Sequence, residues 1–246
     1  MKIIIAPAKK MKIDTDSFAV AALPQYLAAT QQILTVLRQH SYAELKALWH
    51  CSDKIAQTNY AWLQQIKLKH QLTPALLAFS GIQYQYMAPD VFTAPALKYV
   101  QANLRILSGF YGILRPFDGV VPYRLEMQAR LTIDQSANLY DFWGAKPYQA
   151  LQISAEPIIN LASQEYAKVI QHHLQSGTQL IDIVFGQWID GKIKTRATLA
   201  KMARGEMVRF MAENNVQQVN DLKCFDRLNY QYTPELSTET KLVFVN

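Results

Sequence analysis

The chain has 246 residues, half of them hydrophobic and 18% charged, with a net charge of +6 and an isoelectric point near 9.2. This is enough apolar material for a substantial core, and the basic balance favours acidic partners such as nucleic acid or nucleotides. No apolar run approaches the roughly 18 residues of a membrane helix, Met1–Ala6 lacks a signal peptide's apolar stretch, and Cys51 and Cys224 form neither a CxxC pair nor a disulfide framework, so the expected compartment is the cytoplasm.

In chain order, Lys2–Ala6 reads as a short buried strand. Leu23-Pro24 opens a helical stretch to about Gln39, with Ile33, Leu34 and Leu37 on one face. Ser41 can cap a second helix through about His50. Ser52 or Asp53 can cap a third, in which Ile55, Ala56, Tyr60 and Leu63 keep the helical period. Two short helices across a tight polar turn read either as an ordinary αα-hairpin or as a helix-hairpin-helix shape. The latter would present a helix N-terminus, with Lys54 beside it, to a phosphate.

Leu76–Phe79 is expected to be a strand, and the alternating run Gln83–Met87 a strand or loop. Ala94–Asn103 is expected to be a helix and Leu104–Leu107 a strand that leads into Ser108-Gly109-Phe110-Tyr111-Gly112. Two glycines three apart allow a positive φ or a close backbone approach, and Pro116 stiffens the exit. Phe110 and Tyr111, flanked by those glycines, are candidates for exposure. Arg115 and Arg124 are either solvated cations beside a turn or anchors for an anion.

Pro157–Leu161 and Gln179–Gly186 read as later strands, and Trp188–Ile193 as a hairpin turning on Asp190-Gly191. Ala197–Asn214 is the clearest amphipathic helix, with Lys201 and Arg204 one turn apart on a shared face. Leu242–Val245 can close a sheet edge. Strands and helices intermingle without a linker, repeat or low-complexity segment. The fold class is therefore α/β (mixed α+β), in a single compact domain spanning 1–246.

The charge is unevenly spread. Between Asp190 and Arg209 six basic residues (Lys192, Lys194, Arg196, Lys201, Arg204, Arg209) face only Asp190 and Glu206. A segment of that kind is either a solvated helix face or a localised cationic surface. No histidine pattern or cysteine spacing suits a metal, and no Walker A, GxGxxG or GxSxG sequence occurs. No metal and no cofactor is therefore expected.

Six blocks in order carry a wider likeness. They are Ala6-Pro7-Ala8-Lys9; Cys51-Ser52-Asp53-Lys54-Ile55-Ala56 with Asn59; Leu107–Pro116 followed by Pro122–Met127; Leu139–Trp143; Asn160–Tyr166; and Ala200–Gly205 with Arg209-Phe210. Together they resemble the YaaA family of bacterial peroxide-stress proteins, described as DNA-binding. The chain departs from the family pattern at Ala6, where a serine is usual, and at Met11-Lys12, where Leu-Asp is usual. The resemblance implies a "cantaloupe" fold containing a helix-hairpin-helix-like element. It also implies a role in limiting oxidative DNA damage, with a link to lowering free iron.

The candidate residues follow from those blocks. Lys9, Lys54, Arg115, Arg124, Lys201, Arg204 and Arg209 are expected to bind DNA phosphates, with Ser52 and Asp53 at the hairpin. Tyr123, Asn160 and Ser163 are expected to add directional hydrogen bonds in a positively charged cleft. Lys9 follows a core strand and a proline, where chains deliver side chains to a cleft at a sheet's end. Phosphate-dominated binding implies little sequence preference and a double-stranded or distorted DNA partner. The alternative is an enzyme acting on a nucleotide or damaged base, with Lys9, Glu126 and Glu165 as its working groups. Glu126 and Glu165 serve either to orient the cations or as general bases.

Overall fold

A computed structural model describes residues 1–154 and 156–246. Eight strands form the main sheet: β1 (Lys2–Ile5), β2 (Leu104–Ser108), β3 (Gly112–Leu114), β4 (Ile158–Leu161), β5 (Leu180–Ile189), β6 (Lys192–Lys194), β7 (Gln231–Tyr232) and β8 (Lys241–Val245). Their order is β3-β2-β1-β4-β5-β8-β7, with β6 paired to β5 off this path. The inner neighbours β2, β1, β4, β5 and β8 are all parallel, whereas β3, β6 and β7 are antiparallel additions.

The central strand β1 carries an unbroken apolar run, Ile3–Ile5, as parallel strands covered on both faces do. Ile3, Ile4 and Ile5 are all fully buried at its centre. The chain leaves β1 for β2 on one side and then returns to β4 on the other. That reversal makes the space beyond the carboxyl ends of β1 and β4 a topological switch point, where open α/β sheets bind ligands. The result is a mixed α/β fold in one compact domain, as the intermingled pattern suggests.

Most elements fall where the periodicity places them, with helices at Leu27–Gln39, Tyr42–Leu48, Asp53–Gln65, Ala94–Asn103 and Ala197–Glu213. Asp190 and Gly191 take φ of 53° and 69°, the pair of left-handed residues that a two-residue hairpin turn needs. Other segments differ from expectation. The apolar run near Leu76 is not a strand but a buried helical turn, Ala75–Ala78. Its amides at Ala75 and Leu76 donate to the carbonyls of Asp118 and Pro116, and a short buried apolar run carries no period to separate helix from strand.

Gln83–Met87 lies in a helix, Ile82–Met87, which the long helix Ala197–Glu213 packs against. Phe110 and Tyr111 are fully buried rather than exposed. Their glycine turn folds inward, where the Ser108 hydroxyl accepts from both their amides and pairs with the Tyr123 hydroxyl at 2.7 Å. β8 is not the sheet edge, because the two-residue β7 lies outside it.

Candidate functional site

At the switch point lies a cavity of about 600 Å³, bounded by the segments that follow β1 and β4, the loop Tyr123–Glu126, and the helices Ile82–Met87 and Ala197–Glu213. This is the size of a small-molecule site, which typically spans about 300–1,000 Å³. Two of its walls are set by close backbone approaches. A β-carbon at Gly109 would lie 2.6 Å from the Leu125 carbonyl oxygen, so only glycine lets the turn brace the stretch of chain that carries Glu126. The Trp143 indole donates to the Gly109 carbonyl at 2.9 Å and locks that turn from behind.

On the opposite wall, a β-carbon at Gly205 would lie 2.1 Å from the Gln83 carbonyl oxygen. The two helices therefore touch backbone to backbone, which brings Lys201 and Arg204 to the cavity beside Gln83.

Glu126 organises the charges. Its Oε1 lies 3.1 Å from Lys9 Nζ and 3.2 Å from an Arg124 guanidinium nitrogen. Lys9 stands at the rim with 65% of its side chain exposed, whereas Arg124 is 9% exposed. Burial raises the Glu165 carboxyl above the usual glutamate value. The Glu126 charge pushes it the same way, against the amides of Gln128 and Met127 and the Lys9 ammonium. Burial also disfavours the Arg204 charge, partly offset by Asp182.

The rings of Tyr84, Tyr123 and Tyr166 line the walls. Burial pushes the hydroxyls of all three well up, so they stay protonated at any physiological pH. Tyr84 donates to the Ala6 carbonyl at 3.0 Å and is thereby fixed as a wall.

Of the residues singled out from sequence, the structure brings Lys9, Tyr123, Arg124, Glu126, Ser163, Glu165, Lys201 and Arg204 to this one cavity. Ser163 starts the helix Gln164–Gln171, whose positive end opens here. Asn160 lies just below and is fully engaged. Its amide donates to Asp182 at 2.7 Å, and its oxygen accepts from the Ala162 amide at 3.0 Å, so it ties β4 to β5.

The remaining candidates stand elsewhere. Arg115 is held at 2.8 Å by the buried Asp118. Arg209 pairs with Glu213 at 2.8 Å within a network that includes Arg227 and Glu206. Ser52 begins the helix Asp53–Gln65 without a side-chain cap, and Asp53 binds Lys46 at 2.8 Å and the Tyr42 hydroxyl. Lys54 is exposed on that helix.

Sequence reasoning missed Gln83, which no motif marked. Only the Ser80-Gly81 break before it hinted at a helix start. Gln83 shares an unusual property with its neighbours. Among the described residues five buried side-chain atoms lack a hydrogen-bond partner, and four of them belong to residues of this cavity: Gln83 Nε2, Arg124 Nε, Glu126 Oε2 and Arg204 Nε.

The fold and site together define an α/β protein with a cation-rimmed cavity at the switch point of its sheet. A family model described as peroxide stress protein YaaA matches residues 1–236, and the chain belongs to that family. A UPF0246 protein of Lactiplantibacillus plantarum is 63% identical over 245 residues, covering 100% of this chain and 99% of the relative. One from Pediococcus pentosaceus is 59% identical with 100% and 98% covered, and one from Agathobacter rectalis is 49% identical with 99% and 98% covered. Among the described residues no helix is long and apolar enough to cross a membrane.

Proposed function

We propose that this peroxide-stress family member binds DNA, largely without regard to sequence, by drawing phosphates to the switch-point cleft, and so limits oxidative damage to it. The observation that carries the reading is the convergence of Lys9, Arg124, Lys201 and Arg204, from three separated stretches of sequence, on one concave site. Arginine forks suit phosphate because they donate paired, parallel hydrogen bonds. The positive end of the helix Gln164–Gln171 adds to the same field.

Arg115 and Arg209 pair with carboxylates away from the cleft and stay outside this reading. The helical hairpin enters only as a peripheral contact through Lys54, because Asp53 puts a negative charge in the first turn of its second helix. Fluorescence anisotropy with a labelled duplex, a bubble and a single strand across a salt series tests the reading. Binding that falls steeply with salt supports it, and no binding at low salt contradicts it.

A second reading, catalysis on a nucleotide in the same cleft, is favoured by one observation. Glu165 is a partly buried carboxyl raised above its ordinary value, near the charges of Glu126 and Lys9, which is the kind of poise a general base needs. Turnover of a nucleotide or damaged base that vanishes in Glu165→Gln, with folding intact, would establish it.

A further inference from the structure

A second cavity, of about 660 Å³, lies outside the cleft. Its apolar surface comes from Ile13, Trp62, Ile66 and Pro122, and Trp62 and Ile13 stand 37% and 58% exposed. Exposed apolar surface rimmed by polar residues marks a place where something docks. The rim here is basic: Arg38, Lys67 and His70 border the groove, and among the described residues no aspartate or glutamate does.

The platform is held in place before any ligand arrives. Arg38 donates to the carbonyls of Leu63, Gln64 and Ile66 at 3.1, 3.2 and 2.8 Å. Those bonds answer the free carbonyls at the end of the helix Asp53–Gln65, whose last turn carries Trp62. The groove also adjoins the cleft. Pro122 borders the groove and the next residue, Tyr123, borders the cleft; Ile13 borders the groove, and Lys9 and Lys10 the cleft. Two chain segments therefore run from one site to the other, and the three residues from Lys10 to Ile13 span at most about 10 Å. Lys10 and Lys12 are exposed along that path.

We propose that this groove holds an unpaired base of the DNA strand whose phosphates the cleft draws in, with the base stacked on Trp62 and the adjoining phosphate facing Lys67 and Arg38. A flat apolar platform among cations, with no carboxylate to repel, suits a ligand that is both aromatic and anionic. Every base has a π-face to offer, so the contact carries no sequence preference. A base inside a duplex is covered by its neighbours and reaches an indole only when it leaves the stack. The proposal rests on the DNA-binding reading of the cleft and names the form of DNA preferred, one with an unpaired segment.

Fluorescence anisotropy with a labelled oligothymidylate of about a dozen nucleotides and with a fully paired duplex tests the assignment. Trp62→Leu, which keeps apolar bulk at an exposed position, should weaken the single strand by about tenfold and leave the duplex within about twofold. Trp62→Phe, which keeps a ring, should recover most of the loss. Ultraviolet crosslinking of an oligothymidylate carrying 5-iododeoxyuridine, mapped by mass spectrometry, should label Trp62. Thermal melting of each variant checks that it folds.

Unchanged single-strand binding in Trp62→Leu, or an equal loss for strand and duplex, overturns the assignment. So does a Trp62→Leu protein that loses self-association in sedimentation while its strand binding stays intact, which would give the groove to a second copy of the chain. A Lys201→Ala/Arg204→Ala variant run in parallel separates the two readings. If it loses duplex binding while Trp62→Leu loses nothing, the groove fails and the cleft reading stands. If single-strand binding depends on Trp62 but not on Lys201 and Arg204, and no duplex binds, the cleft reading fails and the groove stands.

Discussion

Gly205 and the Gln83 backbone are in direct contact, and a β-carbon at Gly205 would fall 2.1 Å from the Gln83 carbonyl oxygen. The Met87 amide nitrogen would be only 2.9 Å away, so backbone rather than a flexible side chain blocks the space. This one approach sets the spacing of two helices and hence the positions of Gln83, Lys201 and Arg204 around the cavity. Gly205→Ala is expected to cost about 1–3 kcal/mol of stability through overpacking. Since each 1 kcal/mol shifts a domain of this size by about 2–4 °C, calorimetric melting should show a drop of several degrees. Ligand or DNA affinity should fall with it.

Gly112 combines two constraints. Its φ of +74° is unfavourable for any side chain, and a β-carbon there would lie 2.8 Å from the Trp143 ring. Gly112→Ala should therefore destabilise by about 1–3 kcal/mol or more, measured by urea denaturation. An unchanged midpoint would show that the turn can relax away from the indole.

Glu165 gives a pH dependence with a defined sign. Its carboxyl is raised in the folded protein, so the native state holds more protons than the unfolded chain between the ordinary glutamate value and the raised one. Stability must then fall as pH rises through that window, and the penalty stays in full above it. Glu165→Gln removes the penalty while an amide oxygen can still accept from the Gln128 amide, which lies 3.3 Å from the carboxylate in the native protein. Denaturation at pH 4 and pH 7 should show the variant gaining on the wild type at the higher pH. A constant difference at both values would contradict the assignment.

Asn160 acts through the sheet rather than at the cavity. Its side chain closes bonds to Asp182 and to the Ala162 amide, so Asn160→Leu strands the Asp182 carboxylate and the Ala162 donor. The expected loss is about 1–3 kcal/mol per stranded group, read by urea denaturation.

Much of this arrangement is legible in the chain. The Lys2–Ile5 strand, the Asp190-Gly191 turn and the amphipathic helix with Lys201 and Arg204 on one face all follow from local periodicity and turn chemistry. The blocks around Lys9, Arg124, Ser163 and Arg204 converge because the fold delivers each of them to the same sheet end. What local pattern does not carry is pairing at a distance or across a turn. In sequence Arg115 and Arg209 look as well placed as Arg124 and Arg204, yet Asp118 and Glu213 hold them away from the cavity. Phe110 and Tyr111 look exposed because of their glycines, yet those glycines let Leu125 and Trp143 press against the turn. Gln83 is invisible because its role depends on Gly205, far along the chain.

That difference between cations at the cavity and cations elsewhere supplies the most direct test of DNA binding in the cleft. Duplex affinity should be measured against salt for the wild type, for a Lys201→Ala/Arg204→Ala double variant, and for an Arg115→Ala/Arg209→Ala double variant. The cleft variant should bind at least about tenfold more weakly, and its salt slope should be shallower by about one for each phosphate it no longer neutralises. The second variant, equal in charge removed, should keep the wild-type slope and lie within about twofold in affinity. Equal weakening in both variants would mean that diffuse positive charge, not the cleft, holds the DNA.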